Sequence, residues 1–443
     1  MRLLIIFVIE MKHNLCILLF LVFKANTFAQ KDIPSKIKYY INKAEKYLDK
    51  EKALSGYYSI DKEGIKIYSS PQDKANQKAE FTVSWLLSDY LDDKIQNHTT
   101  QQMFDIYFKT GIFKFPEGEY PDAVYIKKNP NAKKLEGIRI AIDPGHIAND
   151  FTMGDLEKKH IIIKGDSING IKDSIEIAEG MLTFATAKLL KDKLEKEGAI
   201  VFLTRTADKC AFGKTFSQWK KHDFKNTLDS LFKIGELKSS QKKYFLSSKV
   251  KERDIFRVIF RDLELAKRVE LINTFKPDYT VIIHFNVDES NLEWKKTTSK
   301  NFNMCFVAGA FMKNDLSNKE KRFEFLRLLV SDDLEKSIAL SSFFTKQFEL
   351  ELQVPIAKTG DAKYLLEGCL PSEAEGVYCR NLQLPRYIHS PVVYGETLYQ
   401  DNINECKLLY EETDKTKNKR IQQVAEAYFN GIMNFANTIK KSP

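Results

Sequence analysis

From residue 138 onward the chain alternates apolar runs with helical periodicity. Ile138, Ile140, Ala141 and Ile142 form a run interrupted only by Arg139, the pattern of a strand buried on both faces. A helix is predicted from about Glu179 to Lys196, closed by Gly198, and the strand "AIVFLTR" follows at 199–205. A further helix over roughly 254–275 leads into the apolar strand of "PDYTVIIHFNVDES" at 277–290. Strand–helix–strand order of this kind predicts a parallel sheet covered by helices. "NMCFVAGAFM" at 303–312 reads as a strand, 319–353 as mainly helical, and 390–402 as a strand with a polar end. The tail at 419–441 is an amphipathic helix, with Ile421, Val424, Ala425, Tyr428, Ile432 and Phe435 on one face. The fold class is therefore α/β, a mostly parallel central sheet flanked by helices.

The segments outside this core read differently. Residues 30–50 predict a helix after Pro34, with Ile37, Tyr40, Ile41, Ala44 and Leu48 on one face. Residues 55–130 mix strand-like and helical runs, so 30–130 reads as a small α+β domain of unknown role. "KKNPNAKKLEG" at 128–137 suits a linker. Residues 206–255 are Lys-rich and weakly patterned, an excursion from the core, and 291–303 is a polar loop.

The first 29 residues read as a secretory signal peptide. Lys12 and His13 precede an apolar run from Leu15 to Phe23, and Ala29 stands where cleavage would follow. That run is too short to span a bilayer comfortably, so no transmembrane span is expected after its removal. Both Met1 and Met11 offer a start; Glu10 interrupts any apolar stretch beginning at Met1. Export to the periplasm or cell envelope follows as an expectation.

Composition narrows the picture only a little. The hydrophobic fraction of 43% and charged fraction of 29% are those of a globular protein. The net charge of +9 is spread along the chain, with no basic stripe interleaved with aromatics, so nucleic acid is not an expected partner. Beyond the signal five cysteines remain, Cys210, Cys305, Cys369, Cys379 and Cys406, without CxxC spacing. That excludes a cysteine zinc site and a disulfide scaffold, and leaves room for one or two bridges.

The candidate chemistry lies in two histidines. His146 follows the 138–142 strand across Asp-Pro-Gly, and His284 closes the 280–283 run. Functional groups of an open α/β sheet gather beyond the carboxyl ends of its strands. Neutral imidazoles there suit zinc, and a catalytic zinc takes three protein ligands. Either histidine alone is more often a turn or cap residue than a ligand; the pair is what points to a metal. Glu176 and Glu179, around the start of the following helix, are both candidates for the third ligand. His160 and His389 are further candidates, while His98 and His222 read as surface residues.

In order, "IAIDPGH", "EGMLTFATAKLLKDKLEKEGAIVFLTR", "LAKRVELINTFKPDYTVIIHFN" and "SPVVYGETLYQDN" resemble the zinc-dependent N-acetylmuramoyl-L-alanine amidases of the amidase-3 group. The resemblance implies a catalytic domain over 137–443 with insertions near 206–255 and 290–375. It implies one zinc ion on His146, Glu179 and His284, with Glu179 chosen over Glu176 by its register to Arg205. It gives Glu396 as the catalytic carboxylate, with Asn402 six residues on. It implies cleavage of the amide between N-acetylmuramic acid and L-alanine in peptidoglycan or muropeptides, and leaves an activator protein open. Two other readings stand beside it: another zinc peptidase or deacylase on the same scaffold, and a non-catalytic envelope-binding protein. The departures are some thirty residues between His146 and Glu179, and Gly395 and Thr397 flanking Glu396 where the group has apolar neighbours.

Overall fold

A computed structural model describes residues 33–85 (without 51 and 53), 88, 133–147, 150–165 and 174–439. The signal peptide, His98 and the first part of the linker lie outside the described residues. Near the N-terminus the strands β1 (Tyr58–Asp61), β2 (Gly64–Ile67) and β3 (Phe81–Ser84) form an antiparallel sheet. The central strands are β4 (Arg139–Pro144), β7 (Ile200–Leu203), β8 (Tyr279–Asn286), β9 (Met304–Ala308), β10 (Cys369–Pro371), β11 (Val377–Arg380) and β12 (Val392–Tyr399). Between β4 and β7 a hairpin of β5 (His160–Ile163) and β6 (Ile175–Ala178) stands apart.

The seven-stranded sheet runs in the order β10-β11-β9-β12-β8-β4-β7. Strands β12, β8, β4 and β7 are mutually parallel. Strand β9 reverses against β12 and pairs in parallel with β11, and β10 closes the edge antiparallel. The expected α/β class with a mostly parallel sheet is what forms. Ile140, Ala141 and Ile142 are fully buried, as their unbroken apolar run required.

Helices cover both faces. Glu179–Lys196 and Lys419–Ile439 pack together on one side, and Lys419–Ile439 also packs on Asp333–Leu352. Ile421, Val424, Ala425, Tyr428, Ile432 and Phe435 are all buried, so the tail's apolar stripe is a core face. Each large side chain so buried contributes roughly 1.5–3 kcal/mol. The N-terminal helix runs over 33–43 and widens into a π turn at Ala44–Leu48. Its Tyr40 and Leu48 share one apolar core with Phe81 of β3 and with Phe311 and Phe323 of the main body. The described N-terminal residues are thus packed into the main body.

Two loop-like stretches turn out to be built. After His146 the chain forms a helix, Phe151–Glu157, capped by Asp150, and then the β5–β6 hairpin. The excursion carries helices Phe216–His222, Phe224–Lys233 and Ser239–Phe245 around a core of Phe216, Trp219, Leu228, Phe256 and Phe260. Helices of two or three turns give too few repeats for periodicity to show in the sequence. The five cysteines are buried and free, so none of the bridges for which the sequence left room forms.

Candidate metal centre

Strand β4 ends at Pro144, and the next two residues make a tight turn. His146 sits in the left-handed region at φ 59°, a strained conformation that the surroundings must hold. Two buried arginines hold it. Arg205 donates from Nε to the Pro144 carbonyl at 3.0 Å and from Nη2 to the Gly145 carbonyl at 3.0 Å. Arg268 donates from Nη1 to the Pro144 carbonyl and from Nη2 to the His146 carbonyl, both at 2.9 Å. Thr183 Oγ1 adds a 2.6 Å bond to the Gly145 carbonyl. Arg268 is charge-balanced by Glu264, at 2.8 Å, and by Asp143, at 3.2 Å. Three consecutive carbonyls thus face inward, and the His146 side chain faces the crevice.

Gly145 is required for a different reason. A Cβ there would lie 2.4 Å from His284 Cε1 and Nε2 and 2.6 Å from the Ile283 carbonyl. The two histidines are near only because this residue has no side chain. Their ring centroids are 4.8 Å apart at 87°. Tyr394 stacks on the His284 ring at 4.4 Å and 6°.

The structure brings His146, Glu179 and His284 together and leaves Glu176 elsewhere. Glu179 opens its helix, and its N–H donates to the Lys159 carbonyl at 3.1 Å. Its Oε2 lies 3.2 Å from His146 Nε2 and its Oε1 lies 3.0 Å from His284 Nδ1. One potential ligand atom from each residue falls within 4.8 Å of the others. Both His146 Nε2 and Glu179 Oε2 are buried without a hydrogen-bond partner. Two lone pairs hidden from water and facing each other fit a cation between them. Burial pushes the His146 imidazole down to about 3, so it is neutral, the form that ligates a metal. Burial alone would raise the Glu179 carboxyl; the Lys159 ammonium, 3.4 Å away, and the His284 Nδ1 contact at 3.0 Å help to hold it well below the usual range.

The other sequence candidates have separate partners. His160 Nδ1 lies 2.9 Å from Asp155 and its Nε2 3.6 Å from Glu176. His389 is buried against Glu324 at 3.2 Å. His222 is exposed at the end of the helix Phe216–His222. Asn402 caps the helix Ile403–Tyr410, accepting from the N–H groups of Asn404 and Glu405.

Glu396 stands on β12 in register with His284 on β8. Paired positions of parallel strands face the same side, so both side chains point to the crevice. Glu396 Oε2 is buried and unpartnered, and burial pushes the carboxyl up to about 7. Its unusual neighbours have a structural cause in Tyr428 of the last helix. The Tyr428 hydroxyl donates to the Gly395 carbonyl at 3.2 Å and lies 3.1 Å from Thr397 Oγ1. A Cβ on Gly395 would meet that hydroxyl at 2.3 Å. The sequence reading passed over Arg205, Arg268, Asp143, Glu264, Thr183 and Lys159 as parts of this centre. Only Asp143 and Arg205 gave a signal, as charges at the ends of apolar strands.

A family profile described as N-acetylmuramoyl-L-alanine amidase matches residues 140–434. The probable cell wall amidase LytH of Staphylococcus saprophyticus is 43% identical over 81 residues, which cover 18% of this chain and 22% of that protein. The chain therefore matches only about a fifth of the length of this curated relative. Among solved structures, the CwlD amidase of Clostridioides difficile, in complex with the GerS lipoprotein, is 18% identical with a TM-score of 0.36. It is matched over 68% of this chain and 99% of its own. The catalytic domain of CwlV from Bacillus (Paenibacillus) polymyxa is 15% identical with a TM-score of 0.34, over 68% of this chain and 98% of its own.

Proposed function

Because this chain belongs to the N-acetylmuramoyl-L-alanine amidase family, we propose that it hydrolyses the amide joining N-acetylmuramic acid to L-alanine in peptidoglycan. The observation that carries this is the convergence of His146, Glu179 and His284, with the buried His146 Nε2 and Glu179 Oε2 left without hydrogen bonds. In this reading those three residues hold one zinc ion. A zinc ion on such a set supplies carbonyl polarisation and a water acidified to about pKa 7.

The remaining work falls to the chain's own groups. Glu396 Oε2 takes the proton of the attacking water and delivers it to the leaving nitrogen. A carboxyl pushed up to about 7 suits both halves of that transfer at neutral pH. Arg205 and Arg268 hold the turn that aims His146, and Tyr394 and Glu179 fix the His284 ring. Tyr428 steadies the strand that presents Glu396. Among the described residues no helix is long and apolar enough to cross a membrane. Export through the N-terminal segment into the cell envelope belongs to the same proposal, as does the division into a signal, an N-terminal domain and a catalytic domain.

The reading is tested on purified peptidoglycan. Free stem peptides and intact glycan strands should be released, release should stop with a chelator, and zinc should restore it. Peptide fragments cut within the stem would instead mark a peptidase.

A further inference from the structure

The metal centre opens into a cavity of about 450 Å³ whose charges do not balance. Its acidic groups are all engaged. Asp143 and Glu264 are held by Arg268. Glu157 accepts the Ile147 N–H at 3.0 Å, and Glu179 belongs to the metal centre. The basic side is open. Lys158 and Arg257 both line the cavity, and neither the Lys158 ammonium nor the Arg257 guanidinium has a polar or ionic partner among the described residues. Arg261, one turn further on, lines it too and, among the described residues, is tied only to Asp262 on the surface.

The fold sets the backbone positions of both free cations. Lys158 is the left-handed cap of the helix Phe151–Glu157, at φ 58°. Arg257 lies in the π turn Ile255–Phe260, whose Ile255, Phe256, Ile259 and Phe260 are buried and leave Arg257 exposed. These two elements pack against each other. Unpaired cations beside an apolar wall of Phe256, Leu265 and Trp294 call for an anion carried on an otherwise uncharged chain. A guanidinium offers a carboxylate two parallel donors, which an amide of the same shape cannot match.

We infer that Lys158 and Arg257 form a carboxylate-binding subsite that selects acidic stem peptides over their amidated counterparts. The inference rests on the proposed amidase reading. The metal centre defines where the scissile amide lies, and the peptide beyond L-alanine enters the basic end of the cavity. The next stem residue carries its α-carboxyl as a free acid or as a primary amide. The subsite reads that single difference in charge.

The test uses two synthetic substrates with the glutamyl γ-carboxyl blocked as its methylamide, one N-acetylmuramoyl-L-alanyl-D-glutamyl derivative with a free α-carboxyl and the other with that carboxyl as a primary amide, with zinc-loaded full-length protein. At low ionic strength kcat/KM for the acid should exceed that for the amide by about tenfold or more, with the difference mainly in KM. The preference should shrink as salt is raised, because the subsite is open to solvent. Arg257→Gln and Lys158→Gln should each lower the ratio, and the double variant should bring it near one. Lys417→Gln, a surface control, should leave the ratio as in the parent. Equal cleavage of both substrates by the parent, or a ratio preserved in the double variant, overturns the subsite while leaving the amidase reading intact. Failure to cleave either substrate overturns the subsite, whereas the amidase reading falls only if stem peptides are also not released from purified peptidoglycan.

Discussion

Replacing Gly145 by alanine probes the centre without touching a ligand. The added Cβ would lie 2.4 Å from two atoms of the His284 ring, about 1 Å short of ordinary contact. The ring is also confined by Tyr394, which stacks on it at 4.4 Å. The backbone is equally confined, since the Ile283 carbonyl would stand 2.6 Å from the new carbon. Overpacking of this size costs about 1–3 kcal/mol. Ligand distances in a metal site tolerate only about 0.2 Å, so a ring displaced by much of 1 Å leaves its place. Lesser disturbances around metal ligands already cost about 10–100-fold in affinity. Gly145→Ala should therefore bind zinc at least about tenfold more weakly than the parent. Competition against a chromophoric chelator measures this, and urea unfolding of the metal-free protein reports the packing cost separately. A variant folded like the parent that binds zinc within threefold of it would refute the argument that this glycine exists to let His284 in.

Three further expectations follow from the same geometry. Arg268→Met strands Asp143 and Glu264 as buried, unpaired carboxylates and frees the His146 carbonyl; urea unfolding should show a loss of about 3–5 kcal/mol, and a loss below about 1 kcal/mol would contradict the clamp. Glu396→Gln should keep one zinc per chain by elemental analysis and lose about 10²–10⁴-fold in kcat/KM; activity near the parent's would remove Glu396 from proton transfer. Asp401, pushed up to about 6 by burial, keeps its proton in the folded chain where the unfolded chain has lost it. Its contribution to stability thus falls as pH rises from about 4 to about 6. Urea midpoints of metal-free parent and Asp401→Asn should diverge across that window in favour of the variant, and a constant difference would show that Asp401 does not titrate there.

Much of the sheet was legible because its signals are local and repetitive. The unbroken apolar runs at 138–142 and 280–283 and the stripe on 419–441 each name their own burial. The helix from Glu179 to Lys196 appears with the boundaries its pattern gave. The built segments at 151–163, 175–178 and 206–255 were not legible, because short helices and paired four-residue strands leave no countable period. The three grouped site residues were legible as residue types at strand and helix ends. Their support was not, since Arg268 reads as one more polar position on an amphipathic helix. Only the fold shows it reaching back 122 residues to the His146 carbonyl. The role of Gly145 was hidden in the same way: the sequence shows a turn glycine, and the structure shows a glycine that makes room for another strand's histidine.

The most direct test of the proposed reaction is which carbonyl receives the solvent oxygen. Digestion of a defined muropeptide in ¹⁸O water, followed by fragment mass spectrometry, reads that position. Hydrolysis of the muramoyl–alanine amide places the label on the lactyl carboxyl of N-acetylmuramic acid and leaves the stem peptide unlabelled. Label on an amino-acid carboxyl within the stem would contradict the account.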